Sequence, residues 1–173
     1  MADRTTNARF EQEILPHLDA AHNLARWLTG NDADAADVVQ EAAMRALSFF
    51  DGFRGGDARA WLLRIVRNTC YTWLRRNRTE KATPLDEARH EAGARAANPE
   101  QTAIARAGRT MLRQAIEELP VEFREALVLR EIEGLAYKEI AHVTGVPMGT
   151  VMSRLSRARN LLRERLVRPE AAS

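Results

Sequence analysis

The stretch from Tyr137 to Arg157 constrains the fold most strongly, because its pattern predicts two short helices around a tight turn. Ile140 gives the first helix an apolar side, Gly145 supplies the turn and Pro147 restarts the chain. The apolar residues of the second helix recur at helical spacing: Val151, Leu155, Ala158 and Leu162. This pattern is typical of a helix-turn-helix.

If that apolar stripe is buried, the other side of the second helix faces solvent or a ligand. The side chains on that side are Thr150, Ser153, Arg154 and Arg157. Hydroxyl and guanidinium groups suit DNA phosphates and base edges. An ordinary helical hairpin with a solvated arginine face fits the same spacing, since helix-turn-helix shapes also occur in proteins that never touch DNA.

Charge is distributed unevenly along the 173 residues, although the formal net charge is only +2. Residues 10–45 hold seven acidic side chains and two arginines. Residues 54–78 hold seven arginines and one aspartate, and residues 147–168 hold six arginines and one glutamate. Two distant basic segments suit a protein that binds a polyanion at two places, while the acidic segment, residues 10–45, binds another partner. For either segment alone, a solvated surface is the alternative.

The single cysteine, Cys70, has no partner for an intrachain disulfide, and the four histidines lack metal-ligand spacing. We therefore expect a helix-packing role for Cys70, no metal, no cofactor and a reducing, cytoplasmic setting. No apolar run approaches the length of a membrane span, and no apolar core follows the polar first residues. Membrane insertion and secretion are not expected.

The acidic segment predicts two helices. The first spans residues 10–28 and ends at Gly30, and Asp34 is expected to cap the second. The apolar side chains expected to point inward from the second helix are Val38, Val39, Ala42, Leu47, Phe49 and Phe50. A polar stripe on another side remains available for docking, and consists of Asp37, Gln40, Glu41 and Arg45.

Three glycines within residues 51–57 indicate a shaped loop, after which Asp57 is placed to cap a helix over residues 58–76. The apolar band of this helix includes Trp61, Leu62, Ile65, Val66, Thr69, Cys70, Trp73 and Leu74. The opposite side carries Arg59, Arg64, Arg67, Asn68, Tyr71, Thr72, Arg75 and Arg76. Arginines with nearby aromatic rings suit a strand backbone and stacked bases. Core packing is the alternative for Trp61 and Trp73.

Periodicity lapses between Asn77 and about Ala97, which indicates an interdomain linker. A helix is expected from Pro99, with Asn98 as its cap. Its apolar side is Ile104, Met111, Leu112, Ala115, Ile116 and Leu119. A further helix over residues 120–133 is expected to bury Phe123, Leu127, Val128 and Ile132. Ala136 is a poor cap for the next helix, although Glu139 offers half of a capping box.

Four motifs occur in order along the chain and together resemble those of the bacterial extracytoplasmic-function (ECF) sigma factors of the sigma-70 family. They are residues 37–41 (DVVQE), 53–56 (FRGG) with 60–68 (AWLLRIVRN), 118–120 (ELP) and 149–159 (GTVMSRLSRAR). The resemblance covers nearly the whole sequence. It implies an all-α fold of two small helical domains, residues 1–78 and 98–173, joined by a flexible linker over residues 79–97.

The resemblance also implies a role for each segment. The N-terminal domain would read and melt the promoter −10 element, and the C-terminal helix-turn-helix would bind the −35 element. The positions implied for the −10 element are Phe53, Arg54, Gly55, Gly56, Trp61, Arg64, Arg67, Asn68 and Tyr71. Those implied for the −35 element are Arg130, Tyr137, Lys138, Thr150, Met152, Ser153, Arg154, Ser156 and Arg157. Met152 and Ser156 depart from the basic or aromatic residues of some relatives.

The implied partners are core RNA polymerase, promoter DNA and an anti-sigma factor. The stripe Asp37, Gln40, Glu41 and Arg45 would dock on the polymerase clamp, and the chain would be monomeric when free and perform no covalent chemistry. A homodimeric helix-turn-helix repressor is one alternative, and it would bind palindromic duplex DNA without polymerase. A helical scaffold or anti-sigma adaptor is the other, and it would tolerate loss of Arg154 and Arg157.

Overall fold

The computed structural model describes residues 4–80 and 99–167, and in these ranges every regular element is helical. The N-terminal domain contains α1 (Arg4–Ile14), α2 (Leu18–Thr29), α3 (Asp32–Phe49) and α4 (Ala58–Glu80). The C-terminal domain contains α5 (Pro99–Glu117), α6 (Val121–Leu127), α7 (Tyr137–Thr144) and α8 (Met148–Val167). The predicted all-α, two-domain fold is confirmed. Most of the predicted linker, residues 81–97, lies outside the described residues, and so does the predicted cap Asn98.

The predicted first helix is interrupted. A 3₁₀ turn, Leu15–His17, separates α1 from α2, with Pro16 inside the turn. Proline has no N–H to donate and its ring crowds the preceding turn, so a continuous helix through this point is unfavourable. Past the break, Leu24 and Leu28 face the core of the domain, where α2, α3 and α4 pack together.

The cap of α3 differs from the prediction. The side chain of Asn31, not that of Asp34, caps the helix, with Asn31 Oδ1 accepting a hydrogen bond from the Asp34 amide at 2.8 Å. Gly30 at φ 93° ends α2 in the left-handed conformation and brings Asn31 into position. The aspartates therefore lie within the first turn of α3, where their charge suits the helix dipole.

Two residues of α3 predicted to point inward are exposed, Leu47 at 40% and Phe49 at 61%. The core stripe is instead Val38, Ala42 and Ala46, at four-residue steps. Each residue of a helix is rotated by about 100° from the previous one, which carries the two larger side chains off that stripe. Phe50, also predicted to point inward, is buried at 1% exposure.

The helices of the C-terminal domain bury less than the sequence predicted. In α5, Ile104, Met111 and Leu112 are exposed at 78%, 46% and 42%, and burial begins at Ala115. Helix α5 packs on α8.

The predicted single helix over residues 120–133 is two elements. After α6 the backbone widens into a π-helical turn, Val128–Ile132, closed by the Glu133 amide donating to the Val128 carbonyl at 3.0 Å. The extra residue in that turn shifts the helical register, which leaves Ile132 46% exposed. Gly134, at φ 70°, ends the turn where the sequence predicted a terminator.

The helix-turn-helix is formed by α7 and α8, as predicted. Gly145 at φ 71° donates its amide to the Ala141 carbonyl at 2.9 Å and ends α7. The Pro147 carbonyl then accepts hydrogen bonds from the Thr150 and Val151 amides in the first turn of α8. At the start of α7, Ala136 supplies no side-chain acceptor, whereas Glu139 Oε1 accepts from the Ala136 amide at 3.3 Å. The expected half capping box is present.

The two domains pack against each other, a feature that the sequence did not predict. Helix α4 contacts α7, and α2 contacts α6 and the π-helical turn. Cys70 of α4 is fully buried, as expected for a packing residue, and burial raises the pKa of its thiol to about 12. This arrangement decides which of the candidate site residues are accessible.

Candidate nucleic-acid interface

Helix α8 separates its side chains into a buried and an exposed face. Val151, Leu155 and Ala158 are at most 1% exposed. The exposed residues from the predicted −35 set are Met152, Ser153, Ser156 and Arg157, while Thr150 and Arg154 are half-buried. The structure therefore presents hydroxyl, thioether and guanidinium groups along one side of the second helix of the helix-turn-helix.

The remaining residues of that set lie at the start of the motif. Arg130 donates to the Leu135 carbonyl at 2.9 Å, and its guanidinium carbon lies 4.7 Å from the centre of the Tyr137 ring. A cation at that distance from an aromatic face is attracted by the ring. Lys138 is exposed beside them. Arg130 and Tyr137 thus hold each other in a fixed orientation, whereas the Lys138 side chain extends into solvent.

In the N-terminal domain, the glycine loop uses backbone conformations that other residues resist. Gly55 and Gly56 have φ of 89° and 93°. Immediately after them, Asp57 Oδ1 accepts from the Ala60 amide at 3.1 Å and caps α4, as predicted. Burial raises the pKa of Asp57, but hydrogen bonding to that amide and the charge of Arg59 act in the opposite direction, and its pKa lies below the ordinary value. Arg54 and both glycines are exposed.

An aromatic cluster holds this loop against the domain. Phe50 lies at its centre, with ring centroids 5.3 Å from Phe10, 5.7 Å from Phe53 and 6.2 Å from Trp61. Phe53 is only 5% exposed, and its ring centroid is 5.0 Å from that of Trp61. Of the predicted −10 residues, Phe53 therefore anchors the loop from inside the domain, and Trp61 is half-buried beside it.

The arginine face of α4 is divided between solvent and the C-terminal domain. Arg64 and Asn68 are exposed. Arg67 Nε and the Tyr71 hydroxyl instead donate to the two carboxylate oxygens of Glu125 in α6, at 2.6 and 2.7 Å. The guanidinium carbon of Arg67 also lies 3.7 Å from the centre of the Tyr71 ring. Two of the nine predicted −10 residues thus bind another part of the same chain.

Glu125 is completely buried by this contact. Burial raises the pKa of its carboxyl group above the ordinary value, and the hydrogen bonds from Arg67 and Tyr71 and the charge of Arg154 offset this only in part. Arg67 responds in the opposite sense: burial lowers its pKa, but the hydrogen bond to Glu125 raises it above the ordinary value. The charge of Arg154, a predicted −35 residue, therefore favours the ionised form of the Glu125 carboxyl group.

The predicted docking stripe lies on the outside of α3. Asp37 and Gln40 are exposed, and Glu41 Oε1 accepts from Arg45 Nη2 at 2.7 Å. Met44, which the sequence analysis did not select, lies on the same side and is 68% exposed. The stripe thus combines acidic, amide and thioether groups.

Glu125 was not among the functional residues predicted from the sequence. The signal was present: Val121, Val128 and Leu129 lie four residues before and three and four residues after it, which places its carboxylate on the apolar side of the helix. A carboxylate in such a position requires a partner. Its partners, however, are 54 and 58 residues away in sequence, and periodicity gives no information on which helix would supply them.

Two family models match the chain. The model of sigma-70 region 2 matches residues 14–80, which begin at the end of α1 and include all of α2, α3 and α4. The model of sigma-70 region 4 matches residues 109–162, which include the helix-turn-helix. The ECF RNA polymerase sigma-E factor of Escherichia coli strain K12 is 38% identical over 137 residues, covering 75% of this chain and 72% of that protein. The chain belongs to the ECF sigma factors of the sigma-70 family.

A second relative of this sigma factor is the ECF RNA polymerase sigma factor SigE of Mycolicibacterium smegmatis. It is 35% identical over 166 residues, which are 96% of this chain and 65% of that protein. Both relatives place the chain among the alternative sigma factors, which are regulatory DNA-binding proteins.

Solved structures support the same assignment. The sigma factor RpoE in complex with the anti-sigma factor NepR from Bartonella quintana aligns with a TM-score of 0.76 at 29% identity, covering 94% of this chain and 99% of that one. CnrH in complex with the cytosolic domain of CnrY aligns with a TM-score of 0.65 at 27% identity over all of both chains. The similarity therefore extends across both domains of this sigma factor.

Among residues 4–80 and 99–167, no helix has the length and apolar character needed to cross a bilayer. In the same residues, histidine, cysteine and acidic side chains do not group in threes as they would around a metal ion.

Proposed function

We propose that this alternative sigma factor positions RNA polymerase on promoters through two DNA-binding faces. The observation that carries the proposal is the exposed side of α8, where Ser153, Ser156 and Arg157 project from a helix whose opposite side is buried. The second helix of a helix-turn-helix lies in the major groove of DNA, with its exposed side chains toward base edges and phosphates. This face would bind the −35 element.

The second face consists of the glycine loop and α4. Arg54 and Arg64 are exposed cations on either side of Gly55 and Gly56, and Asn68 is exposed one helical turn beyond Arg64. Exposed arginines suit a single-strand backbone, and the absence of side chains at the glycines allows close approach of a base. Unpairing a base costs a few kcal/mol, so a preformed site would favour strand opening at the −10 element.

The exposed stripe of α3 is the proposed docking surface for core polymerase. The stripe residues Asp37, Gln40 and Glu41 lie on the same side of α3. They belong to a different helix from the residues of α4 and α8 that are proposed to bind DNA. Docking there would leave the covalent chemistry to the polymerase. The protein would then act in the cytoplasm, where core polymerase and promoter DNA are found, as a dissociable subunit that is monomeric when free.

An anti-sigma factor is the proposed regulatory partner. Both solved relatives are complexes with a partner, described as the anti-sigma factor NepR in one and the cytosolic domain of CnrY in the other. In this chain a cavity of about 810 Å³ lies between the domains, with an apolar surface from residues that include Trp27, Ile116 and Leu162. Arg106 and Arg109 also line it. An amphipathic segment with acidic side chains fits this combination of apolar and basic groups.

Run-off transcription with core polymerase on a library of promoters tests the proposal. We expect promoter-dependent initiation that requires this chain. Arg157→Ala should weaken promoter binding by the holoenzyme, because one phosphate contact is lost. The slope of the logarithm of the binding constant against the logarithm of the salt concentration should become shallower by about 1. Arg163→Ala is the matched control, since Arg163 is exposed on the same helix but lies about 9 Å farther along it than Arg157, toward its C-terminal end. If the chain neither binds core polymerase nor supports initiation, the proposal is wrong.

A further inference from the structure

One polar contact between the two domains is made by residues that the family resemblance assigns to the −10 strand. Arg67 and Tyr71 lie on the α4 face proposed for the −10 strand, and both donate to the Glu125 carboxylate of the C-terminal domain. The Arg67 side chain is 17% exposed and that of Glu125 is 0% exposed. The Glu125 carboxylate offers Arg67 and Tyr71 the same kind of anionic oxygen acceptors that a DNA phosphate would offer.

A second set of contacts closes the same interface farther along. Arg59 Nη1 donates to the Glu133 carbonyl at 3.1 Å, and its Nη2 lies 3.8 Å from Glu139 Oε2. From α2, Asn23 Nδ2 donates to Glu133 Oε1 at 2.7 Å. The π-helical turn and α7 thus engage both α2 and α4 through polar groups. Polar contacts of this kind are typical of interfaces that open and close.

We propose that the unbound chain closes on itself, with Glu125 occupying Arg67 and Tyr71 as a substitute for a DNA phosphate. This inference rests on the proposed function, since it assigns α4 to the −10 strand. In the closed state the C-terminal domain covers part of that face, and DNA reaches Arg67 and Tyr71 only after the two domains separate. The closed contact is therefore an intramolecular competitor of promoter DNA.

The chemistry of the contact makes opening feasible. A buried ion pair gains its attraction at the cost of removing both charges from water, so its net stabilisation is small. Opening returns Glu125 and Arg67 to water, and a DNA phosphate can then restore the hydrogen bonds of Arg67. An apolar contact of the same size would have no equivalent replacement from DNA.

The first test uses Glu125→Gln in the full chain. Glutamine keeps the size of the side chain and one carbonyl acceptor but removes the charge that balances buried Arg67. The population of the open state, in which the two domains are separated, should therefore increase. Small-angle X-ray scattering should give a larger radius of gyration than wild type. Fluorescence anisotropy with a short fluorescein-labelled dT oligonucleotide should show about tenfold tighter binding, the change expected for a coupling typical of contacting residues. Glu122→Gln, exposed on the same helix, is the matched control and should change neither quantity.

A second pair of variants does not disturb the buried site. Asn23→Asp places a carboxylate against Glu133 Oε1, where the wild-type amide donates at 2.7 Å, and repulsion should open the chain. Adding Glu133→Gln to this variant restores a donor and an acceptor with the positions exchanged, and should return the chain to the closed state. Neither position is in the DNA-binding faces, so a change in oligonucleotide affinity reports opening.

The inference is overturned if the Asn23→Asp and Glu125→Gln chains, folded by circular dichroism, remain as compact as wild type. It is also overturned if they open without gaining oligonucleotide affinity, because α4 would then not be shielded by closure. Run-off transcription with core polymerase separates this failure from failure of the proposed function. If the chain initiates transcription normally but these variants do not open, the proposed function stands and only the inference of self-closure fails.

Discussion

The exposed thioether of Met44 gives a sharp prediction about polymerase docking. Met44 lies three residues after Glu41 and four after Gln40, and so falls on the same side of α3. Its side chain is 68% exposed although it is among the larger apolar ones of the helix. Toward the C-terminal end of the polar docking stripe, such a side chain has the character of an interface anchor.

The magnitude follows from that exposure. Complete burial of a methionine side chain contributes about 1.5–3 kcal/mol, and the exposed fraction of Met44 leaves roughly 1–2 kcal/mol to be gained on docking. Met44→Ala should therefore weaken binding to core polymerase about 5- to 30-fold. The free energy of unfolding should change by no more than about 0.5 kcal/mol, because the site is exposed and alanine favours helix.

The assay is a fluorescence titration of labelled chain with core polymerase, accompanied by run-off transcription at limiting chain concentration. Leu15→Ala is the matched control, since Leu15 is a 44% exposed apolar residue on a different element of the same domain. The reasoning is refuted if Met44→Ala binds core polymerase as tightly as wild type, or if Leu15→Ala weakens binding equally. Restoration of transcription by excess Met44→Ala would show that the defect is one of affinity.

Three further predictions concern the cap, the thiol and the −10 face. Ala136→Thr should raise the free energy of unfolding by about 1 kcal/mol relative to the isosteric Ala136→Val, because only threonine supplies the missing acceptor at the start of α7. Urea denaturation followed by circular dichroism measures this difference. Equal stabilities of the two variants would contradict the prediction. Cys70, buried and with a pKa raised to about 12, should resist an aromatic disulfide reagent at pH 8 until the chain is unfolded, and fast labelling of native protein would contradict that burial. Asn68→Ala should reduce permanganate-detected strand opening more than it reduces promoter binding, and equal losses would remove Asn68 from the −10 face.

Local signals in the sequence were sufficient for much of the fold. The glycine and aspartate before α4 and the turn at Gly145 were predicted correctly, because each depends on backbone chemistry within a few residues. The cap of α3 was misassigned because Asn31 and Asp34 are both good capping residues three positions apart, and only the backbone path after Gly30 decides between them.

Errors in burial had a different origin. Ile104 and Phe49 have apolar side chains, but their exposure depends on where neighbouring helices end, which periodicity does not report. The π-helical turn after Leu127 shifted Ile132 outward in the same way. For the candidate site, residue types and faces followed from motifs, whereas the use of Arg67 and Tyr71 by Glu125 required the packing of one domain on the other.

The glycine loop combines two properties that usually oppose each other. Gly55 and Gly56 would give an isolated peptide many conformations, and fixing a residue costs about 1–2 kcal/mol of conformational entropy. Here Phe53 is packed against Phe50 and Trp61 on one side of the glycines, and Asp57 is hydrogen-bonded to α4 on the other. That entropy is lost when the domain folds, so under the proposed function a base entering the loop would not have to order it again. The affinity of the loop for an unpaired base would then be set by the contacts it makes with that base.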